Sequence, residues 1–248
     1  MLEQGPQDVR SRRGEVAALA FRRRHRGNPA GVVRILRVPG VHRPRSDAWL
    51  LADALRRERI EGAAVADLCT GSGVLAIAAA RAGAKSVVAV DVSLRAILAT
   101  AINARLNGCP VQTRHGDLFG ALGDDRFDAI TCNPPYVPAL TDDLPRHRST
   151  TALDGGRDGR AILDRVCREA PAHLRPGGAL LLVHSSVCGV RETCELLRRG
   201  GLEDEVLLSV RGPLGPVLAA RAQMMRQREL LGRADEEELV VIRGRAAG

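Results

Sequence analysis

Apolar and polar residues alternate along the chain in blocks that predict strands and helices by turns. Short apolar or β-branched segments, typical of strands, occupy residues 63–69, 86–91, 111–117, 127–133, 179–186, 203–210 and 236–245. Stretches of helical composition, three of which end in glycine, occupy residues 73–83, 93–108, 159–174 and 190–201. Strands that alternate with helices predict an α/β fold, with a mostly parallel seven-stranded sheet covered by helices on both faces.

Two further segments have their own local signals. The RPGG sequence at 175–178 predicts a turn before the strand at 179–186. Residues 217–231 have an amphipathic pattern that predicts a helix packed on the surface, with a helix that binds a partner as the alternative.

Length and composition narrow the class of protein. A chain of 248 residues, 45% hydrophobic and 27% charged, is expected to form one globular domain around a single core. No apolar run approaches the roughly 18–20 residues that cross a bilayer, and the apolar stretch near the N-terminus is too short for a signal peptide. We therefore expect a cytoplasmic protein without a membrane segment.

Neither the charge nor the cysteine content points to a particular ligand or metal site. Lys85 is the only lysine among 37 basic residues, so the net charge of +8 indicates compositional bias rather than a phosphate-binding surface. The RRRHR cluster at 22–26 predicts a basic N-terminal tail or arm over residues 1–30, solvated or in contact with RNA or a ribosomal surface. Six cysteines without a CxxC pair indicate reduced thiols rather than disulfides or a metal site.

A glycine-rich loop follows the first strand and predicts a nucleotide-like ligand. Asp67 ends that strand, and the segment Cys69–Thr70–Gly71–Ser72–Gly73 opens the next helix, where glycines let a ligand approach free backbone N–H groups. Asp91 ends the second strand, at the position where a carboxylate accepts from a ribose diol. The same spacing fits the loose nicotinamide-dinucleotide pattern. Other strand ends carry Asp67, Asp117 and the sequence NPPY, and these features argue against a nicotinamide-dependent enzyme.

The fourth strand leads into TCNPPYVP at residues 131–138, which contains the only tyrosine of the chain. Each proline fixes its own φ and holds the preceding residue extended, so Asn133 and Pro134 are expected to project acceptors. The side-chain oxygen of Asn133 and the carbonyl of Pro134 suit a planar NH2 group, and Tyr136 offers a flat face for it.

These segments together resemble a known family. VADLCTGSGVLAIAAA, AVD, GDLF and NPPY resemble the class I S-adenosylmethionine (AdoMet) methyltransferases, whose fold is Rossmann-like. PGVHRPRSDAWLLADAL at 39–55 and TALDGGRDGRAILDRV at 151–166 narrow the resemblance to the HemK (PrmC) group, which methylates a glutamine amide of release factors. The resemblance implies AdoMet as cofactor, no metal and catalytic roles for Asn133, Pro134 and Tyr136. The cofactor-binding residues that it implies are Asp67, Cys69, Thr70, Gly71, Ser72, Gly73, Asp91, Asp117, Leu118 and Asn133.

The sequence departs from that group in three places. Cys69 replaces the first glycine of DLGTGSG, the stretch before residue 31 is too short for the group's helical substrate-binding domain, and residues 212–235 are inserted between the last two strands. The expected organisation is therefore the basic segment 1–30 and a methyltransferase domain at 31–248. This short form is similar to the archaeal and eukaryotic branch, which implies a small partner subunit beside the release factor.

Structural interpretations stand beside the functional ones. Asp67 and Asp91 also suit helix caps, Asp117 and the glycines of ALDGGRDG suit turns, and NPPY suits a polyproline ligand. His184 is expected to be a core histidine. The functional alternatives are methylation of an exocyclic amine of nucleic acid, methylation of a small-molecule amide or amine, and an AdoMet-binding protein without activity.

Overall fold

The computed structural model describes residues 33–142 and 153–248, and these form one seven-stranded sheet with helices on both faces. The strands are β1 Ala64–Leu68, β2 Ser86–Asp91, β3 Gln112–His115, β4 Phe127–Cys132, β5 Leu174–Ser185, β6 Glu203–Pro213 and β7 Glu236–Arg245. The helices are α1 Ser46–Leu55, α2 Val74–Arg81, α3 Leu94–Leu106, α4 Ala161–His173, α5 Val190–Arg199, α6 Pro216–Ala220 and α7 Ala222–Gln227. Short 3₁₀ turns cover Leu118–Ala121 and Ser186–Cys188.

The strand order β3-β2-β1-β4-β5-β7-β6 determines where a ligand can bind. Strands β1 to β5 are parallel, and β7 runs antiparallel between β5 and β6. The chain crosses from β3 back to β4, so the order reverses between β1 and β4. Ligands of such sheets bind at the carboxyl ends of the strands beside this reversal. The predicted mostly parallel sheet is confirmed.

The core lies in two layers, one on each face of the sheet. Val65 and Leu181 face a cluster with α1 and α2, whereas the neighbouring Ala66 and Leu180 face a cluster with α4 and α5. This alternation follows from the two-residue period of a strand. Because both faces are covered, the central strands read as continuous apolar runs.

The RPGG turn and the helix predicted at 217–231 both differ from the structure. Strand β5 already begins at Leu174 and pairs there with Phe127, and the pairing resumes at Ala129 with Ala179, so RPGG bulges out within the strand. The predicted single helix is two short ones, α6 and α7, which meet at Arg221. The guanidinium of Arg221 is used in contacts with Pro138 and Asp154, far away along the chain, which a periodicity argument does not include.

The last two strands pair further than predicted. Pro213 pairs with Glu236, so the segment between the strands is 214–235. The segment at 1–30, with RRRHR, lies outside the described residues. In the part of the chain that the structure describes, no helix combines the length and the hydropathy needed to cross a membrane.

Candidate active site

The predicted loops meet at one edge of the sheet. Leu68 pairs with Val90 on one side and with Cys132 on the other, so Cys69, Asp91 and Asn133 leave the sheet side by side. Neighbouring strands lie about 5 Å apart. A cavity of about 730 Å³ opens at this edge. The predicted site residues that line it are Cys69, Thr70, Gly71, Ser72, Asp91, Asp117, Leu118, Asn133, Pro134 and Tyr136.

The glycine loop turns sharply because three of its residues have positive φ. Cys69 has φ 55°, Gly71 φ 55° and Gly73 φ 82°. Left-handed backbone disfavours residues with a Cβ by about 1–2 kcal/mol, so Cys69 carries strain that a glycine there avoids. At Gly73 a Cβ would lie 2.8 Å from Cγ2 of Thr100, so this glycine also allows α2 to pack close to α3. Gly73 therefore shapes the loop but does not line the cavity.

Asp67 lies beneath the loop rather than in the cavity. It is fully buried, Oδ2 accepts from the Thr70 hydroxyl at 2.6 Å and the Ala76 N–H at 3.2 Å, and Oδ1 accepts from the Thr131 hydroxyl at 2.8 Å. Burial raises its pKa to about 6, although these hydrogen bonds act in the opposite direction. In the structure the carboxylate ties β1, the glycine loop and β4 together.

Asp91 lies at the cavity wall, and its carboxylate can accept more hydrogen bonds than the protein supplies. Oδ2 accepts from the Gly71 N–H and Oδ1 from the Ser93 N–H, each at 2.9 Å. Burial raises the pKa of this carboxyl. A carboxylate accepts about four hydrogen bonds, so one face of Asp91 is available to a pair of ribose hydroxyls. Ser93 also caps α3 by accepting from the Ala96 N–H, as its sequence position predicts.

Asp117 and Leu118 form the far wall of the cavity. Asp117 precedes the 3₁₀ turn and accepts from the Arg165 guanidinium, with both oxygens 3.1 Å from Nη1. Its side chain is 59% exposed, so this ion pair is weak. Leu118 is buried and has φ 48°. The arrangement leaves a polar edge beside an apolar surface, which suits a planar base.

Two polar residues of α3 hold the glycine loop from behind, and sequence reasoning missed both. Asn103 is fully buried and donates to the Ser72 carbonyl at 2.9 Å, while its Oδ1 accepts from the Leu36 N–H at 2.7 Å. The Thr100 hydroxyl donates to the Gly71 carbonyl at 3.2 Å. The signal was present in the pattern, because both polar residues lie on the otherwise apolar, buried face of α3.

The NPPY loop lies against the cavity. Asn133 and Pro134 both line it, and no described residue hydrogen-bonds the Asn133 side chain. The amide of Asn133 is thus available to an incoming group. Since Asn133 leaves the sheet beside Cys69, that group would lie next to whatever occupies the glycine loop.

Tyr136 is held in place from α1. Its hydroxyl donates to Oδ2 of Asp47 at 3.0 Å. Burial, together with the carboxylates of Asp47 and Glu237, raises its pKa well above the usual value, so the phenol stays neutral. Asp47 was missed as a site residue although it lies within the segment 39–55 that carries part of the family resemblance. The bond anchors the hydroxyl end of the only tyrosine side chain of the chain.

The glycines of ALDGGRDG do more than turn the chain. A Cβ at Gly155 would lie 2.7 Å from the Pro135 carbonyl oxygen and 2.8 Å from Cα of Tyr136. A Cβ at Gly159, where φ is 79°, would overlap the backbone carbonyl oxygen of Tyr136. The Cys188 thiol also donates to that oxygen, at 3.0 Å. Only glycines permit this backbone to back the NPPY loop so closely.

His184 and the cysteines other than Cys69 do not line the cavity. His184 is fully buried, its Nδ1 lies 2.9 Å from the Ser185 carbonyl oxygen, and burial lowers its pKa to about 4, so it is a neutral core residue. All six cysteines are free, and four of them are buried. Within residues 33–142 and 153–248 no group of three or more histidines, cysteines or acids is placed to hold a metal ion.

Known proteins share much of this sequence. Residues 41–147 match the family model described as Methyltransferase small domain. A Methanocaldococcus jannaschii protein with the provisional name of a protein N5-glutamine methyltransferase is 34% identical over 74% of this chain and 92% of its own length. The Geobacter sulfurreducens release factor glutamine methyltransferase is 38% identical over 58% of this chain and 53% of its own length. The Bradyrhizobium diazoefficiens ribosomal protein uL3 glutamine methyltransferase is 43% identical over 57% and 43%.

Solved structures share the fold. An E. cuniculi Mtq2–Trm112 complex, responsible for methylation of the termination factor eRF1, aligns with TM-score 0.60 at 23% identity over 84% of this chain and 99% of that one. A T. thermophilus 16S rRNA N2 methyltransferase in complex with AdoMet and guanosine aligns with TM-score 0.58 at 24% identity over 86% and 49%. At these identities the likeness concerns the fold alone.

Proposed function

We propose, from the premise that the chain belongs to the AdoMet-dependent protein N5-glutamine methyltransferase family, that it methylates the side-chain amide of a glutamine in a peptide-chain release factor. AdoMet, when bound, supplies a methyl group on a positively charged sulfur. The glycine loop and Asp91 suit its amino acid and ribose ends, and the wall at Leu118 suits its adenine.

One observation carries the proposal. Asn133, whose side chain no described residue hydrogen-bonds, and Pro134 line the cavity beside the glycine loop, at the point where the strand order reverses. An amide NH2 has two N–H donors, and two acceptors a few Å apart hold it in a single orientation. An amide nitrogen is a weak nucleophile, so orientation beside the methyl group is the main help that a protein can give. Positioning of this kind lowers barriers by about 7–11 kcal/mol in favourable systems.

Tyr136 completes the acceptor side. Its hydroxyl is anchored by Asp47, and a flat ring beside the amide plane would limit the rotation of that plane. The insertion between β6 and β7 contributes further wall, since Gly215, Pro216, Val217 and Leu218 line the same cavity. We include in the proposal that this segment forms the rim on which the release factor docks.

A small partner subunit belongs to the same proposal. One face of α3 exposes four apolar side chains at four-residue spacing, namely Leu94 (66% exposed), Leu98 (56%), Ile102 (36%) and Leu106 (45%). Contiguous apolar stripes of this kind mark protein contacts. The Mtq2 structure named above is of a complex with a second protein, Trm112. Because release factors and ribosomal proteins are part of translation, the proposal places the enzyme in the cytoplasm.

The experiment is transfer from labelled AdoMet to purified release factor, followed by mass spectrometry of the modified residue. We expect one methyl group on a glutamine amide and none after that glutamine is changed to glutamate. If label entered ribosomal protein uL3 alone, the substrate would be uL3 and not a release factor. If label entered RNA, methylation of an exocyclic amine of nucleic acid would be favoured. For the partner, Leu98→Glu should abolish binding of a co-expressed small subunit, and unchanged binding would exclude this face of α3.

A further inference from the structure

The segment 214–235 between β6 and β7 is joined to the backbone that follows NPPY by two arginines. Arg221 lies between α6 and α7, and Arg228 follows α7. Both point their guanidinium groups at backbone carbonyls rather than at solvent. The inserted segment is therefore tied to the backbone after NPPY at two points, at Pro138 and at Ala139.

Arg221 bridges the two sides of that loop. Its Nη1 donates to the Pro138 carbonyl at 2.8 Å and to Oδ1 of Asp154 at 2.6 Å. The side chains of Arg221 and Asp154 are 28% and 13% exposed, so the ion pair is partly shielded from water. Hydrogen bonds to charged groups in such places are the stronger kind.

Arg228 grips the same backbone one residue further on. Its Nη1 donates to the Ala139 carbonyl at 2.6 Å and to the Arg157 carbonyl at 2.8 Å, and its Nη2 lies 3.3 Å from the Leu140 carbonyl. Three carbonyls around one guanidinium use the planar fork of arginine, which the single nitrogen of lysine does not reproduce.

The backbone to which the two arginines donate, residues 138–140, directly continues the NPPY loop. Val137 donates to the Leu153 carbonyl at 2.8 Å and accepts from Gly155 at 2.9 Å, and Ala139 donates to Gly156 at 2.8 Å. These bonds join residues 137–139 to residues 153–156, which back Tyr136. The arginines therefore hold the outer side of a short ladder whose inner end is the NPPY loop.

We propose that Arg221 and Arg228 are positioning residues for methyl transfer, which fix Tyr136 and the Pro134 carbonyl through this ladder. The kinetic part rests on the proposed function, and the positional part does not. Among the described residues no hydrogen bond or ion pair joins either arginine to the glycine loop, so AdoMet binding should be independent of both.

The test uses Arg221→Ala, Arg228→Ala and Arg221→Lys, with Arg226→Ala as matched control. Arg226 is on α7 but donates only within the insertion and its end, to Asp235, Gly232 and Arg233. The readouts are kcat and KM for release factor, calorimetric AdoMet affinity and the NMR signals of a ¹³C-labelled tyrosine ring. Tyr136 is the only tyrosine, so its signals need no assignment.

Both alanine variants should lower kcat about 10- to 100-fold, leave AdoMet affinity within about twofold, and shift or broaden the Tyr136 signals. Arg221→Lys should recover most of the loss, and Arg226→Ala should keep the wild-type kcat, AdoMet affinity and Tyr136 signals, whatever its effect on KM for the docked release factor. Equal losses in Arg226→Ala, or unaltered Tyr136 signals in folded Arg221→Ala and Arg228→Ala, would overturn the proposal. If the wild type methylates no release factor, the proposed function fails, and the Tyr136 signals still decide the positional claim.

Discussion

Substituting Gly155 by alanine should slow methyl transfer without weakening AdoMet binding. The added Cβ would lie 2.7 Å from the Pro135 carbonyl oxygen and 2.8 Å from Cα of Tyr136, whereas ordinary contact begins at 3.4 Å. The NPPY backbone must therefore retreat by about 0.7 Å. Backbone atoms lack the rotamers by which a long side chain would yield, so the strain is shared between Gly155 and the loop.

The magnitude follows from these distances. Overpacking of this size costs about 1–3 kcal/mol, and the smaller freedom of alanine in the unfolded chain returns about 0.4–1 kcal/mol. Each lost kcal/mol lowers Tm by about 2–4 °C in a chain of this length. Misplacement by 1 Å costs about 100-fold in rate, so we expect kcat to fall about 10- to 100-fold.

The assay compares Gly155→Ala with Gly232→Ala in single-turnover transfer and calorimetry. A Cβ at Gly232 meets nothing within 4 Å, so this control should keep the wild-type rate and raise Tm by about 1–4 °C, because alanine has less freedom than glycine in the unfolded chain. A folded Gly155→Ala protein with the wild-type rate would refute the claim that this contact sets the acceptor loop. Parallel losses of rate and AdoMet affinity would instead indicate general distortion of the sheet edge.

Three other substitutions separate the parts of the site. Asp91→Ala should weaken AdoMet binding by about 1–3 kcal/mol in calorimetry, with no binding of NAD to either protein, and tight NAD binding would reverse the cofactor assignment. Asn133→Ala should reduce transfer by at least about 100-fold with AdoMet affinity nearly unchanged, and a joint loss would mean that Asn133 is structural. Asp67 has its pKa raised from 3.8 to about 6, so the folded chain holds this proton more tightly than the unfolded chain does. Its contribution to the free energy of unfolding is full below about pH 4 and falls by about 3 kcal/mol as pH rises through 6. Denaturant unfolding from pH 4 to pH 7 should show this loss in the wild type relative to Asp67→Asn, and parallel curves would contradict it.

The fold and the cofactor side were within reach of sequence reasoning because their signals are local. Alternating apolar segments define β1 to β7, and parallel strands bring Asp91 and Asn133 to one edge whatever the rest of the chain does. Local patterns alone did not establish on which side of β1 the carboxylate of Asp67 lies. Its position at the end of a strand suggested a place in the cavity. Its three hydrogen bonds show instead that the carboxylate lies beneath the glycine loop.

The contacts that hold the NPPY loop could not be predicted because their partners lie far apart in the sequence. On the cofactor side, Asp67 bonds Thr70 three residues away and Ala76 nine residues away. Other bonds of the glycine loop reach Thr100 and Asn103, at separations of 29 and 31 residues, and Asp67 reaches Thr131 at 64. On the acceptor side, Tyr136 is held by Cys188 at a separation of 52 residues and by Asp47 at 89. Arg228 reaches Ala139 across 89 residues as well. No periodicity or spacing rule predicts partners at such distances.

This difference has a consequence for how variants of the enzyme must be measured. Substitutions in α1, in residues 153–159 or in the segment 214–235 act on the acceptor loop from outside, through Asp47, Gly155 and the two arginines. The glycine loop is held instead by Asp67, Thr100 and Asn103, which none of those segments contains. AdoMet affinity is therefore expected to stay near normal in proteins that have lost transfer, and binding assays alone would classify them as intact. Rate and affinity must be measured together, because the two halves of the cavity depend on separate parts of the chain.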